Sequence, residues 1–289
     1  MENTLFNWDW RMVAHLYIGG LAVGLFAFAV LLFHLNGDRY RTLVCKLLPL
    51  GPIGVAIGLI FLLMGLKEGP GALVAFLQQN PGSDITIGLL LQIAFLLLGS
   101  WVLIRLKQRG YEQLPPPVLI VTALLALAVA LFHGSLLLWA DLPFWSEALL
   151  GVMLLSALAG GVAGGWLLAR RPFGTLGPAP EDGYTVNVPL ILVPMLAALG
   201  LLLFVWMQSL GGGELMAQLA LLYLMEEQTF WLFGMVYGVG LFLPLALLTS
   251  QILKKQREPG RWVALIAALS VLISTLVLKS LIIHLGTGL

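Results

Sequence analysis

Two histidines are the residues of this sequence best placed to do chemistry inside a membrane. His15 follows Trp8-Asp9-Trp10-Arg11-Met12-Val13-Ala14, about one turn inside an otherwise apolar run and beneath two tryptophans. An unpaired polar group in hydrocarbon costs several kcal/mol, so a neighbouring helix, water or a ligand must satisfy it. His133 stands in Phe132-His133-Gly134-Ser135, near the far end of another apolar run. Imidazole titrates at pH ~6.5 and suits a proton relay. Ser83, Asp84 and Thr86, with Gln92 two turns deeper, form a third polar cluster, and Lys279 and His284 a fourth. Intramembrane ionisable groups are functional candidates by default. Lys279 is expected to pair with an acid such as Glu147 or Glu227, as helix–helix glue or as part of a proton path. His34 and His284 fall near span ends and read as interfacial, while Tyr17, Trp139, Trp145 and Trp231 read as aromatic-belt anchors.

The elements that position these residues are transmembrane helices. Sixty per cent of the residues are hydrophobic and only 10% charged, against about 25% charged in a soluble domain. The fold class is therefore an all-α integral membrane protein. Spans of about 20 apolar residues are expected near 11–35, 43–66, 86–106, 116–140, 146–169, 188–209, 228–252 and 261–285. Breakers separate them, among them Asn36-Gly37-Asp38, Asn80-Pro81-Gly82-Ser83-Asp84 and Gly211-Gly212-Gly213. Two short apolar stretches, within Lys67–Ile85 and Leu210–Gln228, read as helices lying on the membrane surface. Gly20-x-x-x-Gly24 and Gly54-x-x-x-Gly58 carry the small-residue spacing that lets helices approach closely. The whole chain, 1–289, reads as one membrane domain, with one four-helix bundle over 11–140 and a second over 146–285.

Twelve of the 15 basic residues cluster at the loops after spans one, three, five and seven: Arg39, Arg41, Lys46, Arg105, Lys107, Arg109, Arg170, Arg171, Lys254, Lys255, Arg257 and Arg261. The positive-inside rule makes these loops cytoplasmic and both termini extracytoplasmic. The N-terminus lacks a basic region and a small-residue cleavage site, so the first span is expected to act as an uncleaved insertion signal. The opposite side is acidic, with Asp84, Glu147, Glu226 and Glu227 among its residues. Since span one enters from that side and span four exits there, His15 and His133 should lie at similar depth. A net charge of +1 argues against nucleic acid. The single cysteine, Cys45, excludes a disulfide framework and a cysteine-ligated cluster within this chain.

Three functions remain open on these residues alone. Reduction or oxidation of a quinone needs proton-exchanging groups at both carbonyls, an apolar slot and an external electron partner. A haem b anchor needs two axial histidines at matching depth, which His15 and His133 would supply. A secondary transporter needs a midplane substrate site, but the midplane is poor in charge and no inverted repeat with paired broken helices is evident.

The chain resembles the NrfD/PsrC family, membrane anchors of polysulfide reductase-type complexes. The resemblance starts at Trp10, His15 and Gly19-Gly20-Leu21-Ala22-x-Gly24, and runs to Phe33-His34-Leu35-Asn36-Gly37-Asp38. It continues with Asn80-Pro81-Gly82-Ser83-Asp84-Ile85-Thr86-Ile87-Gly88, Phe132-His133-Gly134, Leu142-Pro143-Phe144-Trp145 and Ser156-Ala157-x-x-Gly160. It implies a bacterial or archaeal cytoplasmic (inner) membrane protein whose first four spans bind menaquinone or ubiquinone near the extracytoplasmic surface, without haem or an iron–sulfur cluster in the chain itself. It also implies a ferredoxin-like iron–sulfur subunit and a molybdopterin catalytic subunit outside the membrane. A span-one histidine and a span-four tyrosine hold the quinone in that family. His15 matches the first; Phe132 stands at the second and has no hydroxyl. Met12 replaces a side chain that is polar in some relatives. The resulting expectation is a quinone head held by His15 and His133 and flanked by Phe132, Ser83 and Asp84, with span four turned or slipped by one residue. Protons would pass through Asp84, Glu147, Glu226, Glu227 and Lys279.

Overall fold

A computed structural model describes residues 5–140, 142, 144–169, 187–254 and 261–288. Eight helices in it are long and apolar enough to cross a bilayer: Trp10–Leu35, Asp38–Met64, Asp84–Arg109, Pro116–Trp139, Ala148–Ala169, Val188–Gly211, Phe230–Leu253 and Trp262–Gly286, here spans one to eight. The architecture expected from composition is thus the one observed. The loop residues Arg170, Arg171, Lys255 and Arg257 lie outside the described residues. Two shorter helices, Pro70–Gln79 and Leu215–Glu226, fall in the segments read as surface helices.

Span two begins earlier than the sequence suggests. Asn36-Gly37-Asp38 does not break the helix: helical backbone runs without interruption from Trp10 to Met64. A straight helix of that length would measure about 80 Å. Yet His15 bonds to Gly58, and Gly54 and Gly51 face Ala22 and Phe26. The axis must fold back on itself, and helical turns on either side of the reversal meet with no extended residue between them.

Glycines then set how closely the spans pack. A Cβ on Gly24 would stand 2.0 Å from the Ala157 carbonyl oxygen, and Gly161 lies directly opposite. Spans one and five therefore touch backbone to backbone, which joins the two halves of the protein. Spans one, five and eight are the most buried of the eight, and they carry His15, Ala157 and Lys279. Span seven is a π-helix over Phe230–Phe242. Pro244 follows directly, and its missing N–H favours a register shift in the turn before it. Gly240 in this stretch lies against Ser274 of span eight.

The two ends of the bundle differ in chemistry. At one end Trp8 meets Trp145 with ring centroids 4.7 Å apart, and Trp145 Nε1 donates to Ile282 O. Both indoles are buried, so Trp145 locks the end of span eight to the connection between spans four and five. That corrects its reading as a belt anchor, and Trp8 is likewise not at the lipid interface. Trp10 is exposed and can sit there. Asp9 caps span one, accepting from Arg11, whose guanidinium also reaches the Met64 carbonyl. The Arg11 hydrogen bonds hold the Asp9 carboxyl below the usual carboxylate range. At the other end Arg41 pairs with exposed Glu112, and Phe33 packs on Tyr111.

Candidate functional site

His15 sits on span one five residues below Trp10, and helix periodicity turns it away from lipid. It is fully buried. Its Nδ1 lies 2.9 Å from Gly58 O. A carbonyl can only accept, so Nδ1 carries the hydrogen and the neutral ring presents a lone pair at Nε2. Gly58 makes this contact possible because its Cα side packs directly on Gly19 and the His15 carbonyl. The Gly54/Gly58 spacing thus has a chemical consequence: it places a backbone acceptor against the imidazole.

His133 comes from span four and is also buried. Its ring meets the His15 ring edge to face, with centroids 4.9 Å apart and an interplanar angle of 75°. Gly19 leaves the room, since a Cβ there would lie 3.1 Å from His133 Cε1. The depth match expected from topology is therefore a direct contact. Phe132 points elsewhere, its ring filling the space above Gly88 of span three. Neighbouring residues on one helix diverge by about 100°. His133 consequently faces span one without any turn or slip of span four, and that part of the sequence expectation is unnecessary.

The Nε2 atoms of His15 and His133 are both buried without a hydrogen-bond partner. Buried polar atoms are nearly always paired, so two orphans on adjoining rings mark a place where a partner of another kind belongs.

Lys279 of span eight joins this cluster. It is buried, and its Nζ donates to Leu16 O at 2.8 Å. The ammonium also lies over the Tyr17 ring, 5.8 Å from the centroid. A Cβ on Gly20 would come within 2.7 Å of Nζ and 3.8 Å of His133 Nδ1. Gly20 is thus the window through which Lys279 approaches the histidines. The acidic partner expected for Lys279 is replaced by a backbone carbonyl, and Glu147 and Glu227 are exposed. Tyr17, read as a belt residue, is half-buried and donates to Leu272 O.

The remaining candidates are not gathered here. Ser83 is the N-cap of span three: its Oγ accepts from Thr86 N, and Thr86 Oγ1 donates to Asn80 O. Asn80-Pro81-Gly82-Ser83 therefore serves as a helix-entry turn. Asp84 is exposed in the first turn beyond it, and Glu147, Glu226 and Glu227 are exposed as well. His34 bonds its own helix at Val30 O, and His284 Nε2 meets Tyr223 OH. Among the described residues no three His, Cys, Asp or Glu side chains form a metal-binding group. The proximity of Lys279 to the histidines had no sequence signal beyond the small residues Gly19, Gly20 and Ala157. Gln92 was noted only for its polarity; it is buried with both amide atoms unpartnered.

The family described as "Polysulphide reductase, NrfD" matches residues 1–288. A curated relative, the C subunit of polysulfide reductase from Wolinella succinogenes, is 26% identical over 262 residues, covering 83% of this protein and 82% of its own length.

Proposed function

The chain belongs to the NrfD, polysulphide reductase family, and from that premise we propose that it is the quinone-exchanging membrane subunit of a respiratory oxidoreductase. The observation that carries this reading is the pair of orphaned imidazole nitrogens, His15 Nε2 and His133 Nε2, buried on two rings that meet edge to face near the Trp8 end of the bundle. Two proton-exchanging atoms in an apolar, buried setting fit a quinone head, menaquinone or ubiquinone, better than a charged or sugar-like ligand. When bound, a quinone supplies a two-electron, two-proton couple.

The residues of the protein divide the proton work. His15 Nδ1–H is committed to Gly58 O. Its Nε2 therefore accepts a proton from a hydroxyl when the ring is neutral, and donates to a carbonyl when the ring is protonated. His133 offers a second such atom. Lys279, held at Leu16 O beside Gly20, passes protons between this pair and the bundle surface. Asp84, Glu147, Glu226 and Glu227 exchange them with water at the acidic end. Ser83 and Asp84 shape the entry to the site by fixing the start of span three. Burial of the histidines keeps protons from leaking to lipid-exposed water.

Electrons must enter or leave the membrane through partners, since one cysteine cannot hold an iron–sulfur cluster. The Wolinella relative is named as one component of a polysulfide reductase. We assign to this protein an iron–sulfur, ferredoxin-like subunit and a molybdopterin catalytic subunit, docked at the extracytoplasmic, acidic end. Basic loops set that orientation in the cytoplasmic membrane, with both termini outside. The reading is tested by His15→Ala in the assembled complex. Quinone-linked electron transfer should fall at least about tenfold, as for loss of one buried charge-assisted hydrogen bond, while the subunits still co-purify. Full activity in that variant would overturn it.

A further inference from the structure

Gly88, Gln92, Phe95 and Gly99 follow one another at spacings of four, three and four, which places them on a single stripe of span three. Gly88 lies under the Phe132 ring of span four, Phe95 packs on Phe26 of span one with centroids 5.3 Å apart, and Gly99 meets Pro52 of span two. Gln92 sits between these contacts and therefore points to the axis where spans one to four converge. It is 1% exposed, and neither Oε1 nor Nε2 has a partner. The buried hydroxyls of Thr122, Ser156, Ser270 and Ser274 all bond carbonyls of their own helices. The other buried side-chain orphans among the described residues, Trp8 Nε1 and Gln251 Oε1, lie at span ends. Among the described residues, the buried side-chain polar atoms left unpartnered away from span ends are thus those of His15, His133 and Gln92, on spans one, four and three.

Their placement is ordered along the bundle axis. Gly88 lies level with Phe132, the neighbour of His133, and Gln92 is one turn deeper, about 6 Å along a helix. A 1,4-quinone carries its carbonyls on opposite edges of the ring, so holding both requires donors at two levels. We infer that Gln92 is a further ligand-holding residue, its Nε2–H donating to the carbonyl opposite the one at the histidines. The inference rests on the quinone reading above and deepens it. The carboxamide stays neutral, so Gln92 orients the ring while proton exchange remains with the imidazoles.

The test uses the purified full-length protein in detergent and two probes, 2,3-dimethyl-1,4-naphthoquinone and the one-carbonyl 1-tetralone, with binding read from quenching of tryptophan fluorescence. Gln92→Leu should weaken naphthoquinone binding about tenfold, the loss of one buried hydrogen bond. It should leave tetralone binding and the thermal midpoint intact. Unchanged naphthoquinone affinity, or an equal loss for both probes, would overturn the role of Gln92. His15→Ala run in parallel separates the two levels of the argument. No loss of affinity in that variant would overturn the quinone reading itself, whereas a loss there with none in Gln92→Leu would overturn only the part given to Gln92.

Discussion

The imidazoles of His15 and His133, carried on spans one and four, meet edge to face with centroids 4.9 Å apart, and the Nε2 of each is buried without a partner. Gly58 fixes the first ring through its carbonyl, and Gly19 leaves space for the second. Two small residues on neighbouring helices thus hold the two imidazoles in contact.

If both rings serve one ligand, their losses cannot add. His15→Ala, His133→Ala and the double variant should all lower quinone-linked electron transfer to a similar residual rate, the pattern of residues acting as a unit. Losses that multiply in the double variant would indicate two independent sites.

Lys279 is buried on a carbonyl rather than on an acid. Lys279 is held by a backbone carbonyl and not by an ion pair, so an apolar side chain of similar length removes a desolvated charge without orphaning an opposite one, and Lys279→Met should keep the thermal midpoint. Its electron-transfer rate should lose the wild-type pH dependence, because the proton route beside His133 is gone. A pH profile superimposable on that of the wild type would remove Lys279 from proton transfer.

Gly24 and Gly160 provide a paired packing test. A methyl on Gly24 meets the Ala157 carbonyl at 2.0 Å, whereas one on Gly160 finds nothing closer than 3.7 Å. Gly24→Ala should therefore destabilise by about 1–3 kcal/mol through overpacking, and Gly160→Ala should be close to neutral. Thermal unfolding in detergent measures both, and equal midpoints for the two variants would contradict the backbone contact between spans one and five.

Asp9 supplies a pH test outside the membrane. Its carboxyl is lowered chiefly by the Arg11 side-chain hydrogen bond, so the folded state holds the ionised form more strongly than the unfolded state does. The resulting stability is present above the unfolded carboxylate pKa of ~3.9, and is lost as pH falls through the folded value. Asp9→Asn should lower the thermal midpoint slightly at pH 7, and the difference should vanish in acid. A difference that persists at the lowest pH would assign the effect to helix capping rather than to charge.

The spans were legible because a bilayer imposes a length of apolar chain that few other folds need, and the two short helices because their apolar stretches are too short to cross. The His15–His133 depth match followed from topology alone. Which face of span four carries the site did not: Phe132 and His133 are adjacent in sequence, and only packing on Gly88 and Gly19 separates their directions. Trp145 read as a belt residue because its type and position suit the interface, but its N–H finds Ile282 O inside the bundle. Lys279 was assigned an acid because charges invite opposite charges. Its actual acceptor, Leu16 O, is a backbone group and leaves no mark on side-chain pattern. Asn36-Gly37-Asp38 has the composition of a breaker, yet helical turns continue on both sides of the reversal.

Photolabelling with an azidoquinone would locate the quinone head within the bundle. A cavity of about 530 Å³ lies between spans one, seven and eight, away from the two buried histidines, and is lined by Trp8, Trp231, Ser280 and His284, so the label has a real alternative. A quinone held by the two histidines should place label on the peptides carrying His15 and His133, and His15→Ala should suppress it. Label confined to the peptides carrying Trp231 and His284, and unaffected by that substitution, would contradict it.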